Sequence, residues 1–158
     1  MAERKPDIDI RIARQSDISA IAAIEKESFS DPWSEHLFSE AISDATHFNL
    51  VMMLKEDLIG YIISTKLLPD CEIENIAIKS DLRGKGYGKI LLNDFLDHVR
   101  EAGATRVLLE VREGNKPARS LYESAGFKKD GVRPKYYIEP VEDAVLMSVD
   151  LTENKEGE

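Results

Sequence analysis

The stretch Cys71-Glu72-Ile73-Glu74-Asn75-Ile76-Ala77-Ile78-Lys79-Ser80-Asp81-Leu82-Arg83-Gly84-Lys85-Gly86-Tyr87-Gly88-Lys89 decides how the rest of the chain is read. Cys71 to Ile78 has the composition of a strand, and Arg83 to Lys89 is a glycine-rich turn. From Tyr87 to Ala102 the apolar residues Leu91, Phe95, Val99 and Ala102 recur at helical spacing, and Gly103 supplies the stop. Glycines between a strand and a helix let the backbone come close to a ligand, where the helix start offers N–H groups and positive dipole charge. Residues 79–89 carry Lys79, Arg83, Lys85 and Lys89 against Asp81 alone, in a chain whose 21 basic and 30 acidic residues sum to −9. That local reversal of charge points to a phosphate or pyrophosphate. A dinucleotide-binding fingerprint fails on spacing, because the glycines fall at 84, 86 and 88. A Walker loop fails as well: Gly84 to Gly88 is one position short, and Ile90 stands where a hydroxyl is needed. A flexible turn with a solvated basic edge is the competing reading, and the glycines alone do not exclude it.

Outward from this centre, Ile8, Ile10 and Ile12 alternate with Asp9 and Arg11 as in a half-buried strand. Ser16 is the expected cap of a helix ending near Phe29, Asp31-Pro32-Trp33 breaks it, and Ser34 caps a second, short helix. His47 to Leu54 and Leu58 to Leu68 read as a hairpin around Lys55-Glu56-Asp57. Downstream, Thr105 to Arg112 is β-rich, and Asn115 caps a helix with Pro117 in its first turn that runs to Ser124 and stops at Gly126. Phe127 to Arg133 and Ala144 to Leu151 are two strands around a Tyr- and Pro-containing loop. The order β-α-α-β-β-β-α-β-α-β-β predicts a mixed sheet with helices on both faces. Residues 1–151 read as one domain and 152–158 as a polar, frayed tail.

Composition narrows the function. An apolar share of 42% fits a folded globular chain. A net charge of −9 argues against general nucleic-acid binding and suits a basic partner. No apolar run approaches the ~20 residues of a membrane-spanning helix, and the charged start Met1 to Asp7 does not read as a signal peptide. The single cysteine, Cys71, excludes an internal disulfide, fits a reducing, cytoplasmic setting, and reads as a small buried hydrophobe. His36, His47 and His98 show no metal-ligand spacing, so no metal is expected.

The turn Arg83-Gly84-Lys85-Gly86-Tyr87-Gly88 resembles the R/Q-x-x-G-x-G/A pyrophosphate loop of the GCN5-related N-acetyltransferases (GNAT). Other segments are similar to the branch of that superfamily that acetylates ribosomal-protein alanines. They are Pro32-Trp33-Ser34, Asn75-Ile76-Ala77-Ile78, Leu109-Glu110-Val111-Arg112, Leu121-Tyr122-Glu123-Ser124-Ala125-Gly126-Phe127, Tyr136-Tyr137 and Glu142-Asp143-Ala144. The likeness spans nearly the whole chain except its tips. The glycine loop is a superfamily feature, whereas Pro-Trp-Ser, Leu-Glu-Val-Arg and Tyr-Tyr together mark the branch. Glu113-Gly114 departs from the small polar residues usual before Asn115.

The resemblance implies a mixed, mostly antiparallel α/β sheet with a V-shaped splay between the strand ending at Ile78 and the one containing Glu110. It implies acetyl-CoA as cosubstrate. The pyrophosphate would lie on Arg83, Gly84, Lys85, Gly86, Tyr87, Gly88 and Lys89, and the thioester and pantetheine arm on the backbone of Ile76, Ala77 and Ile78. Asn115 would contribute a hydrogen bond to the coenzyme besides capping its helix. Trp33 on one side, and Tyr136 and Tyr137 with Glu142 and Asp143 on the other, would wall the acceptor site.

An α-amine with a pKa of about 8 must lose a proton before it attacks a thioester, and the departing thiolate must gain one. Glutamate is disfavoured in strands, yet Glu110 sits in Val107-Leu108-Leu109-Glu110-Val111. With helices on both sheet faces, either orientation part-buries this carboxylate, a setting that suits a base acting directly or through water. A salt bridge to Arg112 or a lysine is the alternative, and the resemblance favours the base. Tyr122 reads as a core tyrosine by itself; the resemblance makes it the acid that protonates the thiolate. The acceptor implied is the N-terminal alanine of a small-subunit ribosomal protein, a basic tail matching the negative charge here. A small-molecule amine or lysine acetyltransferase, or a non-catalytic acyl-CoA sensor, are the alternatives; the presence of both Glu110 and Tyr122 argues against the sensor.

Overall fold

Val107, Leu109 and Val111 are buried while Leu108, Glu110 and Arg112 between them are only partly so, and this alternation sorts the two sides of the sheet. The computed structural model describes residues 7–152. Its strands are β1 (Ile8–Ile12), β2 (Leu50–Leu54), β3 (Asp57–Leu67), β4 (Asp70–Ile78), β5 (Arg106–Arg112), β6 (Lys128–Tyr137) and β7 (Glu142–Asp150). They form a seven-stranded sheet in the order β1-β2-β3-β4-β5-β7-β6, antiparallel at every step except β4 to β5. The helices are α1 (Ile18–Ser28), α2 (Glu35–Ser43), α3 (Tyr87–Glu101) and α4 (Lys116–Ser124).

Two apolar clusters occupy the two faces. Leu91, Leu92, Phe95, Leu96 and Val99 of α3 and Tyr122 of α4 pack on Ile73, Ile78, Val107, Leu109, Val111, Val145 and Met147. On the other face Ile18, Ile21 and Ile24 of α1 and Phe38 and Ala41 of α2 pack on Val51, Leu58, Tyr61 and Ile63. The second cluster includes no residue of β5, β6 or β7, so the expected cover by helices is complete on one face and partial on the other.

β4 and β5 pair only from Asp70↔Arg106 to Ile73↔Leu109. Beyond this, β4 runs on to Ile78 hydrogen-bonded to β3 alone, and β5 runs on to Arg112 with β7 alone. The predicted splay is therefore present between these two strands. A bulge assists it: Ile63 faces Asn75 but Ser64 faces Ile73, which leaves Glu74 as the extra residue where β4 turns away.

Three expectations need correction. The strand placed from His47 begins at Leu50, and His47 makes an isolated bridge to Thr65. Asn49 explains the late start, because its side-chain Oδ1 accepts the Ser64 N–H (3.2 Å) and its Nδ2 donates to Ala41 O (3.1 Å). Ser16 does not cap α1. It lies in a 3-10 turn, Gln15–Asp17, whose Asp17 carboxylate accepts the Arg14 N–H at 2.8 Å and the Arg11 guanidinium at 2.8 and 2.9 Å. The last hairpin is longer than predicted: β6 continues through Pro134 to Tyr137. It is an edge strand with an irregular register between Arg133 and Tyr137, which tolerates the missing N–H of proline. Ser34 and Asn115 do cap their helices, accepting from Leu37 N and Ala118 N at 3.2 Å each. The polar tail, from 153 onward, lies outside the described residues.

Candidate active site

The backbone of Ile76, Ala77 and Ile78 forms the free edge of the splay, and the chain then passes through a 3-10 turn, Ser80–Leu82, into the glycine turn. Gly84 and Gly86 have φ of +78° and +91°, a conformation L side chains rarely adopt. Ile90 N–H donates to Gly86 O at 3.2 Å, so α3 starts immediately after the turn. The N–H groups of Gly88 and Lys89 precede that first bond and have no intrahelical partner. Gly88 differs from the two turn glycines. A methyl group there would meet Leu121 Cδ2 at 3.4 Å and Ile78 Cγ1 at 3.8 Å, which is ordinary contact, so the chain's own packing does not demand a glycine. Arg83 is exposed but tethered. Its Nε donates to Ile78 O (2.9 Å) and its Nη2 to Ser28 Oγ (2.7 Å), tying the turn to β4 and α1.

On the opposite blade Glu110 pairs in register with Leu146 of β7, on the face that α1 and α2 leave uncovered. Its partner is neither Arg112 nor a lysine. Arg133 reaches it from β6, Nη2 to Oε2 at 2.9 Å, and the Glu110 side chain is 20% exposed. Gly131 stands opposite Leu146 at the edge-strand end of this row and adds no side chain there. The charge of the nearby Glu110 carboxylate holds the Tyr136 phenol above its usual pKa. Burial, with Glu110 nearby, pushes Tyr137 up to about 12. Burial also raises Glu72, which shares the face and feels both Glu110 and Glu74.

Tyr122 lies on α4 in the α3-side core, buried and with its ring 5.8 Å from that of Phe127. Burial first, and the neighbouring Tyr137 second, raise its pKa, so it holds its proton at neutral pH. Tyr137 is thus within electrostatic reach of both Tyr122 and Glu110. Glu110, Tyr136 and Tyr137 are neighbours, and Tyr137 links them electrostatically to Tyr122, which packs on the α3 side of the sheet.

Glu142 has another task. Its Oε2 accepts the Gly114 N–H at 2.5 Å and its Oε1 lies 3.3 Å from Arg112 Nη1. A Cβ at position 114 would sit 2.5 Å from that carboxylate oxygen, so a side chain there would oblige Glu142 to shift. Arg112 joins the walls. It donates to Pro140 O (2.9 Å), Ile138 O (3.1 Å) and Ser30 Oγ (3.3 Å), and lies 4.5 Å from the Tyr137 ring centre. Asp143 likewise braces the hairpin, accepting Lys135 N–H at 2.8 Å. Trp33 stands on the α1–α2 side, its ring 5.2 Å from that of Phe38. Asn115 Oδ1 is occupied in capping α4.

Sequence reasoning missed Arg133, Glu72 and Glu25. Glu72 shares a face with Glu110 only because of the parallel register Glu72↔Leu108, and Arg133 reaches Glu110 only through the irregular edge strand. Glu25 carried a signal: an acidic residue between Ile24 and the helix end, on the side that Ile18 and Ile21 bury. Cys71 is buried as expected, and burial raises its thiol pKa. Among the described residues no helix is long and apolar enough to cross a membrane.

The Acetyltransferase (GNAT) family matches residues 18–127. A Bacillus subtilis protein provisionally named a ribosomal protein bS18-alanine N-acetyltransferase is 34% identical over 145 residues, covering 91% of this chain and 96% of its own. The ribosomal protein bS18-alanine N-acetyltransferase of Salmonella typhimurium is 30% identical over 145 residues, with 90% and 97% covered. The crystal structure of the ribosomal-protein-S18-alanine N-acetyltransferase from Escherichia coli superposes with a TM-score of 0.87 at 28% identity, over 96% of this chain and 98% of that one. On sequence and on fold, the chain belongs to the acetyltransferase (GNAT) family.

Proposed function

We propose that this chain transfers the acetyl group of acetyl-CoA to the N-terminal α-amino group of a protein, the alanine of a small-subunit ribosomal protein of the bS18 type. The observation that carries the reading is the divergence of β4 from β5 after Ile73↔Leu109, with Glu110 on one blade and a helix start at the end of the other. The relatives' printed activity supplies the acceptor. A net charge of −9 suits a basic tail, and the single cysteine suits a cytoplasmic setting.

The residues fit the cosubstrate. Gly84 and Gly86 shape a turn that exposes main-chain N–H groups, and the smallness of Gly88 has a ligand's approach as its reason. Ile76, Ala77 and Ile78 offer the thioester and pantetheine arm a strand edge that β5 does not pair. Arg83 serves this site as a brace.

In the reaction, Glu110 takes a proton from the acceptor ammonium, directly or through water, after the ammonium has displaced Arg133 from the carboxylate. The amine nitrogen then forms its bond to the thioester carbonyl carbon. As the tetrahedral oxyanion collapses, the C–S bond breaks and Tyr122 gives its hydroxyl proton to the departing sulfur. The nitrogen, on becoming an amide, sheds its second proton to solvent, so the products are the N-acetylated chain, coenzyme A and one net proton. Tyr122 recovers its proton from the one Glu110 has taken, relayed through solvent or the neighbouring phenols. Trp33, Tyr136 and Tyr137 wall the acceptor, while Glu142 and Arg112 hold those walls.

Incubation with acetyl-CoA and a panel of ribosomal-protein N-terminal peptides, read by mass spectrometry, tests this. A mass gain on the first residue of an alanine-starting basic peptide is expected. Acetylation of lysine side chains or of polyamines in its place would overturn the assignment.

A further inference from the structure

Glu25 takes no part in the chemistry above, yet it is 1% exposed and surrounded by donors. The Tyr61 hydroxyl donates to its Oε1. Asn75 Nδ2 lies 3.0 Å from Oε1 and 2.9 Å from Oε2, and the Trp33 N–H donates to Oε2 at 3.0 Å. A carboxylate this deep is costly unless donors surround it, so the group is held for what it connects. It connects three elements: the α1–α2 loop through Trp33, β3 through Tyr61, and β4 through Asn75. Asn75 is two residues beyond Ile73, the last β4 residue paired to β5, and directly precedes Ile76, Ala77 and Ile78.

The loop is also tied from the other side. Arg112 Nη2 donates to Ser30 Oγ (3.3 Å) and to Ile138 O (3.1 Å) in the β6–β7 hairpin. The end of α1 holds the turn before α3 as well, through Glu27 accepting Ser80 N–H (2.8 Å) and Ser28 Oγ accepting Arg83 (2.7 Å).

We propose that Glu25 is a positioning residue for the acceptor: it fixes the Trp33 loop to β4 at the mouth of the splay, setting the distance between the acceptor wall and the thioester strand. The proposal rests on the reading of Trp33 as part of the acceptor wall. Glu25 touches neither reacting atom.

The test uses Trp33 as its own reporter, since it is the single tryptophan of the chain. Acrylamide quenching of its fluorescence is measured in the free protein, and KM is measured for acetyl-CoA and for a basic alanine-starting peptide. In Glu25→Ala the quenching constant should rise about twofold or more as the loop opens locally. The peptide KM should rise about tenfold while the acetyl-CoA KM stays within about twofold. Glu25→Gln should restore both readouts, because its carbonyl can accept from Trp33 while its amide faces the Tyr61 oxygen. Tyr61→Phe removes a donor and leaves the carboxylate on Trp33, so it should lower thermal stability and move neither readout. If Glu25→Ala does not fold, Glu25→Asp, one methylene too short to reach all three donors, takes its place with the same expected directions. A folded Ala or Asp variant with unchanged quenching would overturn the proposal, as would Tyr61→Phe shifting quenching and peptide KM equally. If the unaltered protein fails to acetylate the peptide, the functional reading falls, and the quenching comparison still decides the role of Glu25.

Discussion

Replacing Gly88 by alanine separates the needs of the chain from those of its ligand. The added methyl would lie 3.4 Å from Leu121 Cδ2 and 3.8 Å from Ile78 Cγ1, with no backbone atom among its near neighbours, so the fold has room for it. Gly88 is the second residue of α3, where exchanging glycine for alanine favours the helix by roughly 0.5–1 kcal/mol. Set against a slightly snug contact, the melting temperature should stay level or rise by about 2–4 °C. The cofactor should respond in the opposite direction. A Cβ at the helix start keeps a phosphate from its main-chain donors, and one lost charge-assisted hydrogen bond of about 1.5–3 kcal/mol weakens binding roughly 10- to 150-fold. Lys85→Ala, which removes only an exposed and screened charge, should cost about fivefold at most. Calorimetric titration of coenzyme A, beside a thermal melt of each variant, provides the comparison. Unchanged affinity in a normally folded Gly88→Ala protein would refute a backbone cradle at this turn. A melting temperature lowered by several degrees would refute the claim that the chain itself tolerates the methyl.

Glu110→Gln should lower turnover by on the order of 10²–10⁴-fold with coenzyme A affinity nearly unchanged, and should alter the lower limb of the pH–rate profile; initial rates across pH decide it, and an unaltered rate and profile would leave Glu110 a structural partner of Arg133. Tyr122→Phe should fall near the lower end of that same roughly 10²–10⁴-fold range, because a thiolate leaves tolerably well without an acid. Its melt should scarcely move, since the phenyl ring retains the packing on Phe127; a variant that melts far earlier yet turns over normally would make Tyr122 a core residue only. For stability, the Arg11 guanidinium holds the Asp17 carboxyl below its usual pKa, so its contribution is present above the unfolded value of about 3.9 and is lost as pH falls through the lower, folded value. Asp17→Asn should therefore cost about 1–3 kcal/mol at pH 6 in urea unfolding, with the gap to the unaltered protein closing toward pH 2–3; a gap independent of pH would exclude the ion pair as its cause.

What could be read from the sequence follows how locally each feature is specified. The strand–turn–helix at 71–102 was legible because its periodicity, glycines and charge reversal lie within one stretch, and the caps at Ser34 and Asn115 because a cap acts over three residues. The start of β2 was not, because Asn49 competes for a backbone donor fifteen residues away, on Ser64. The same distinction runs through the site. Glu110 stands out within its own strand, but Arg133 finds it only after β6 has been laid beside β7 with an irregular register that no local pattern encodes. Arg112 could be recognised as a charged residue next to the base, yet its hydrogen bonds go to Ser30, Ile138, Pro140 and Glu142, so its work is to hold two walls that are distant in the chain. Glu110 was thus marked by being out of place in its own element, whereas Tyr122 read as a core residue to which only the resemblance gave a chemical role. Residues that set the geometry around them became visible only once the elements had met, and Glu25, buried between a loop and two strands, is the extreme case.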